Sequence, residues 1–167
     1  MIYIGIDPGL EGGIVAINSR LAVVAAVPMP TAKQPTHNEI DVAKIAALLT
    51  ELRLDHAGDL LVAIETLPYG RPGQRGVASA QTMGVNYGML RGCLETMGIP
   101  YFLVGAQRWQ KEVCPGSGDP KLRSIAFCKK ALPALDLTPG AKKKPHDGMA
   151  DAACIAVWMR KQEGEKT

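Results

Sequence analysis

Met1-Ile2-Tyr3-Ile4-Gly5-Ile6-Asp7-Pro8-Gly9 decides how the rest of the chain is read. Alternation puts Ile2, Ile4 and Ile6 on one face of a strand and Tyr3, Gly5 and Asp7 on the other. Asp7 closes the strand and Pro8-Gly9 forces a turn. Gly12-Gly13-Ile14-Val15-Ala16-Ile17 resumes as a second strand, so the two form a hairpin. After the polar turn Asn18-Ser19-Arg20 the apolar run Leu21 to Val27 supplies a third strand, so three antiparallel strands open the chain.

Thr31 to Glu39 is polar, holds Pro35 and reads as loop. Ile40, Ala43, Ile45, Ala46, Leu48, Leu49 and Leu52 then recur at helical spacing, which predicts a helix from about Asn38 to Asp55. Leu60-Leu61-Val62-Ala63-Ile64 is a continuous apolar run ending in Glu65, the pattern of a strand buried on both faces in a parallel arrangement. A right-handed crossover through the helix lays this strand parallel to the first. Neighbouring parallel strands lie about 4.8 Å apart, so adjacency sets Asp7 and Glu65 side by side at the carboxyl edge of the sheet. That edge is where α/β sheets bind ligands.

The stretch Thr66 to Gly76 is rich in Gly and Pro and carries Tyr69, Arg71 and Arg75. By composition it is a connection; beside an acidic edge it reads as a loop that touches substrate. A helix from Val77 to Met97 follows, with Ala80, Gly84, Gly88 and Gly92 at every fourth position, a bare stripe that calls for close packing. The partner is a helix of the same chain or the same helix of a second subunit. Gly98 stops the helix, and Ile99 to Val104 gives a fifth strand. Ala106 to Val113 reads as a short helix carrying Trp109. Asp119 and Pro120 cap and start another, running to about Leu132. Asp136 to His146 is loop, and a largely buried helix runs from Asp147 to Lys161.

Asp147 and Asp151 stand four residues apart where that last helix begins, on one of its faces. Stacked acids repel unless a cation sits between them, so the pair is either a solvated accident or half of a metal site. Each acid also has an ordinary role: a helix cap for Asp147, a turn former for Asp7, a strand-end acid in solvent for Glu65.

The 167 residues, 47% of them apolar, are expected to form one α/β domain spanning 1–167. Nothing reads as a membrane span or secretory signal, which leads to the expectation of a cytoplasmic protein, encoded by a phage or bacterium rather than for an organelle. Cys93, Cys114, Cys128 and Cys154 are scattered without a C-x-x-C and read as ordinary reduced thiols. The net charge is +3, with 12 Lys/Arg against 7 Asp/Glu in residues 101–167 and 7 against 9 before them. Lys121, Arg123, Lys129, Lys130 and the run Lys142-Lys143-Lys144 make the basic part. Such a run is a solvated loop or, beside carboxylates, a set of phosphate contacts.

The order strand, strand, strand, helix, strand, helix, strand, helices is that of an RNase H-like domain with a five-stranded mixed sheet. Ile4-Gly5-Ile6-Asp7-Pro8-Gly9, then Val62-Ala63-Ile64-Glu65, then His146-Asp147-Gly148-Met149-Ala150-Asp151-Ala152 resemble the RuvC-like Holliday junction resolvases, closest to their phage-type and organellar branch. Trp109-Gln110-Lys111 and Ala131-Leu132-Pro133 fall where that group carries related segments. The resemblance implies a crossover junction endodeoxyribonuclease with Asp7, Glu65, Asp147 and Asp151 as catalytic carboxylates, leaving 5'-phosphate and 3'-hydroxyl ends on four-way DNA. Bacterial RuvC proteins space their last two site residues three apart. Here that position is Gly148, so the reading takes Asp147, with His146 as the alternative occupant.

Converging carboxylates need cations, and oxygen-only donors suit Mg2+ or Mn2+, two ions about 3.5 to 4 Å apart. Tyr69 is expected to stack on a junction base, a role for which RuvC-like enzymes use an aromatic in about this place. Arg71, Arg75, Lys121, Arg123, Lys142, Lys143, Lys144 and His146 are the remaining expected DNA contacts. Paired cuts imply a homodimer, with Ala80, Gly84, Gly88 and Gly92 as the candidate interface. Two rivals remain: a non-catalytic branched-DNA-binding protein, and an actin-like or sugar-kinase-type nucleotide-binding domain, which the opening hairpin also resembles. The latter needs a second domain, so no nucleotide cofactor is expected.

Overall fold

The computed structural model describes residues 1–56, 59–67, 76–140 and 143–164. Tyr69, Arg71, Arg75 and Lys142 lie outside them. A five-stranded sheet has the order β3-β2-β1-β6-β7, built from β1 (Ile2–Asp7), β2 (Gly13–Asn18), β3 (Val23–Pro28), β6 (Leu60–Glu65) and β7 (Tyr101–Val104). β1, β2 and β3 pair antiparallel, and β6 and β7 join in parallel. This is the mixed sheet read from the sequence.

Alternation along β1 sorts the core into two layers. Ile2, Ile4 and Ile6 pack with Leu49 of helix α1 (Val42–Asp55) and Leu90 of helix α2 (Val77–Thr96). Tyr3 packs on the opposite face with Trp109 of α3 (Ala106–Val113), Cys128 of α4 (Pro120–Ala131) and most of α5 (Asp147–Gly164). α5 is buried continuously from Gly148 to Met159 except at Asp151. A helix apolar on all sides is a helix enclosed by others, here β1, β2, α3 and α4.

Two glycines set the distance between α5 and the sheet. A Cβ on Gly5 would lie 2.0 Å from the Ala152 carbonyl oxygen and 2.3 Å from the Ala156 nitrogen. One on Gly148 would lie 2.3 Å from the Glu11 carbonyl oxygen. The helix therefore rests on strand and turn backbone, with no side chain between.

Three expectations need correction. Thr31 to Glu39 is not all loop: β4 (Thr31–Lys33) pairs antiparallel with β5 (Asn38–Ile40) in a small second sheet. The three-residue strands carry no alternating pattern long enough to signal a strand. The first helix consequently starts at Val42, capped by Asp41, which accepts the Lys44 N–H at 3.1 Å. The stripe on α2 packs against nothing within the chain: among the described residues, Cβ atoms on Gly84, Gly88 and Gly92 would meet no atom within 4 Å, and Ala80 is exposed.

The helix contact at Gly5 yields a test. Gly5→Ala is expected to lose about 2–4 kcal/mol in urea unfolding, because backbone cannot yield as a side chain can. Gly88→Ala, with open space for its methyl, is expected to be neutral or to gain up to ~1 kcal/mol from helix propensity.

Candidate active site

β1 and β6 run in parallel with Ile6 beside Ile64, so the next residues along each strand, Asp7 and Glu65, leave the sheet together at its carboxyl edge. Asp7 is fixed by the turn it starts: the Gly9 N–H donates to its Oδ1 at 3.2 Å. Glu65 is fixed by Trp109, whose indole Nε1 donates to Oε2 at 2.9 Å from a fully buried ring. Because α5 lies on Gly5, its first turns bring Asp147 and Asp151 to the same edge.

Their electrostatics show how close the four are. Burial raises the proton affinity of Asp7, with Asp147 adding to the effect and the Gly9 N–H opposing it. Burial pushes Glu65 up to about 7, aided by Asp7 and Asp151 and opposed by the Trp109 indole. Burial likewise pushes Asp151 up to about 6, with the Ser124 hydroxyl opposing and Asp7 and Asp147 reinforcing. Asp147 alone falls below the usual carboxylate range, because the Lys121 ammonium is bonded to its Oδ2. Among the described residues one lysine is thus paired with one of the four acids.

His146 caps α5: its Nδ1 accepts the Met149 N–H at 3.2 Å. That hydrogen bond requires an unprotonated Nδ1 and leaves Nε2 as the outward nitrogen. The N-cap role considered for Asp147 thus belongs to its neighbour, and Asp147 occupies the first helical position with its carboxylate at the positive end of the helix.

Among the described residues no three His, Cys, Asp or Glu side chains already stand as a metal-binding group. Asp147 is engaged with Lys121, so the four acids share an edge without closing on one point. The donor chemistry nonetheless fits hard divalent cations. It is oxygen-only, three carboxyls hold protons more tightly than in water, and the buried Oδ1 of Asp151 has no hydrogen-bond partner among the described residues.

The basic residues divide. Lys121, expected to hold phosphate, is ion-paired with Asp147 in this structure. Arg123 is committed to structure: its Nη1 donates to the carbonyls of Cys114 at 3.1 Å and Gly116 at 2.6 Å, bracing the loop before α4. Lys143 and Lys144 are exposed. Lys144, His146, Lys121 and Asp147 rim a groove of about 730 Å3 whose apolar wall includes Leu10, Leu122 and Ile125. Trp109 and Ser124 were not assigned to the site from sequence. Lone donors on separate helices leave no spacing signal, although a buried indole N–H such as that of Trp109 needs an acceptor.

No protein-family model and no curated protein sequence matches the chain. Solved structures do. RuvC of Thermus thermophilus in complex with a Holliday junction substrate is similar with a TM-score of 0.68 at 18% identity, covering 98% of this chain and 96% of that one. A second Thermus thermophilus RuvC structure gives 0.61 at 20%, covering 98% and 97%. The yeast mitochondrial Holliday junction resolvase Ydc2 gives 0.52 at 19%, covering 98% of this chain and 79% of that one. The chain shares the RuvC-like form of the RNase H-like fold.

The raised acids predict the stability profile of the metal-free protein. Glu65 holds its proton more tightly folded, near 7, than its ordinary 4.5, so its contribution is complete below about 4.5 and is lost as pH rises through about 7. Stability in chelator is expected to fall between pH 5 and 8. Glu65→Gln, which keeps an acceptor for Trp109, is expected to flatten that fall and exceed the wild type at pH 8 by roughly 1–3 kcal/mol. Urea unfolding at both pH values reads it; a variant weaker than wild type at pH 8 contradicts it.

Proposed function

We propose that the chain is a divalent-metal-dependent endodeoxyribonuclease that resolves four-way DNA junctions by paired phosphodiester hydrolysis. The observation that carries the reading is the carboxylate edge itself: Asp7, Glu65, Asp147 and Asp151 gathered on a RuvC-like fold, with the buried Asp151 Oδ1 unpartnered among the described residues. An uncompensated acid cluster opposes folding, and a cation-dependent reaction is a reason to keep it.

Asp7, Glu65, Asp147 and Asp151 would together hold two Mg2+ or Mn2+ ions. Such ions, when bound, lower the pKa of the attacking water and stabilise the leaving oxygen of an in-line displacement, giving 5'-phosphate and 3'-hydroxyl ends. The protein's share is orientation. Trp109 holds Glu65 in one rotamer, Gly9 holds Asp7, and the His146 cap fixes the first turn of α5 and with it Asp147. The exposed Lys143 and Lys144 supply phosphate contacts, whose loss at high salt follows counterion release.

Asp7→Asn, Glu65→Gln, Asp147→Asn and Asp151→Asn are each expected to reduce cleavage of labelled four-way DNA in Mg2+ by at least about a hundredfold, with folding and junction binding retained. Binding by the wild type without cleavage would favour a DNA-binding scaffold, and ATP turnover a nucleotide-binding domain. Cleavage retained on Asp147→Asn and lost on changing His146 would move the role to His146.

Two opposed cuts also need two sites related by a two-fold axis, so the reading includes a homodimer. The exposed stripe of Ala80, Gly84, Gly88 and Gly92, next to the half-exposed Val85, is its proposed face. Gly88→Leu is expected to shift the solution mass from dimer to monomer; a folded variant that stays dimeric removes the stripe from the interface.

A further inference from the structure

Lys121 stands where a metal ion would be expected to act. Its ammonium is bonded to Asp147 Oδ2, and the fields of Asp151 and Asp119 reinforce that attraction. Its backbone does not depend on the contact: the Lys121 N–H donates to the Asp119 side chain at 2.9 Å, and Pro120 starts the helix. The side chain is 66% exposed, against 38% for Asp147. A fixed backbone under a free, solvated stem is a lysine that moves without disturbing α4. It lines the groove of about 730 Å3 together with Lys144 and His146.

We propose that Lys121 is a stand-in cation: its ammonium occupies Asp147 until a divalent ion enters the acid cluster, which displaces it into the groove, where it grips a DNA phosphate. The DNA half of this inference rests on the nuclease reading; the metal half does not. Two positive charges cannot share one carboxylate oxygen at bonding distance without strong repulsion, and a small doubly charged ion recruits several carboxylates at once where an ammonium recruits one. The pair lies near the surface, so breaking it reduces metal affinity by no more than about fivefold. Metal loading and DNA grip become reciprocally coupled: each ligand raises affinity for the other.

Lys121→Met keeps the stem and removes the charge. With no DNA present, calorimetry is expected to show Ca2+ and Mn2+ bound about three- to fivefold more tightly by the variant, while its melting temperature in chelator falls. A merely structural lysine would lower both. Unchanged or weaker metal binding by the folded variant overturns the proposal. The wild-type chain supplies a second test free of mutation: acylation of Lys121 Nζ by an N-hydroxysuccinimide ester, followed by peptide mass spectrometry, is expected to accelerate several-fold in saturating Ca2+ relative to chelator. An unchanged rate overturns displacement. For the DNA half, Ca2+ is expected to steepen the salt dependence of wild-type junction binding by about one phosphate contact more than that of Lys121→Met. An equal change in both overturns the phosphate role. Metal arms that respond while no four-way DNA is bound under any condition leave displacement standing and sink the nuclease reading.

Discussion

The backbone contact between α5 and β1 at Gly5 is the constraint on which the rest depends. Side chains ordinarily keep a helix well clear of a sheet. Here the missing Cβ lets Ala152 and Ala156 come down onto the strand itself, and Gly148 does the same against the turn at Glu11. The vertical position of α5 fixes the height of Asp147 and Asp151, so it decides whether they stand level with Asp7 or above it. The glycines of the opening strand therefore act on function through geometry rather than through any contact with a ligand. The alanines along α5 follow from the same contact, since larger residues at 152 and 156 would lift the helix as surely as a side chain at position 5.

What this packing brings together, electrostatics resists. Glu65 and Asp151 are raised to about 7 and about 6 because burial removes water without supplying enough positive charge. The surroundings offer neutral donors instead: the Trp109 indole N–H to Glu65 and the Gly9 N–H to Asp7. These orient the two carboxyl groups that they bond. A charged partner on each acid would stabilise the cluster in its ionised form. Among the described residues only Asp147 has such a partner, the exposed Lys121.

Much of this was legible in the sequence because the signals were local. Strict alternation in Ile2 to Asp7 settled which residues face which layer, and the unbroken run before Glu65 marked a strand covered on both sides. Asp119-Pro120 set the start of α4 to the residue. The small β4/β5 sheet was not legible, because three residues cannot display a period, and its pairing depends on Ile40 reaching the core beside α2. Nor was the sorting of the basic residues. Lys121 and Arg123 look alike in the chain, yet one turns towards Asp147 and the other towards the carbonyls of its own preceding loop. Nothing in the spacing separates a cation aimed at an acid from one aimed at backbone; only the position of α4 against α5 does so.

The same packing bears on which residue of the last motif completes the site. A pair of acids three apart ending at Asp151 would need a side chain at the position here occupied by Gly148. In this chain that position is pressed against Glu11 and Gly12, where a Cβ would lie 2.3 Å from one and 2.6 Å from the other. No carboxylate fits there unless the β1–β2 turn moves. His146, two residues earlier, has its Nδ1 committed to the Met149 N–H, and drawing it away would unfasten the first turn of the helix that carries Asp151. Asp147 lies between them and lines the groove, its carboxylate bonded to the exposed Lys121. The third position is thus closed to any side chain by a tight turn, and the turn is tight because α5 sits low on β1.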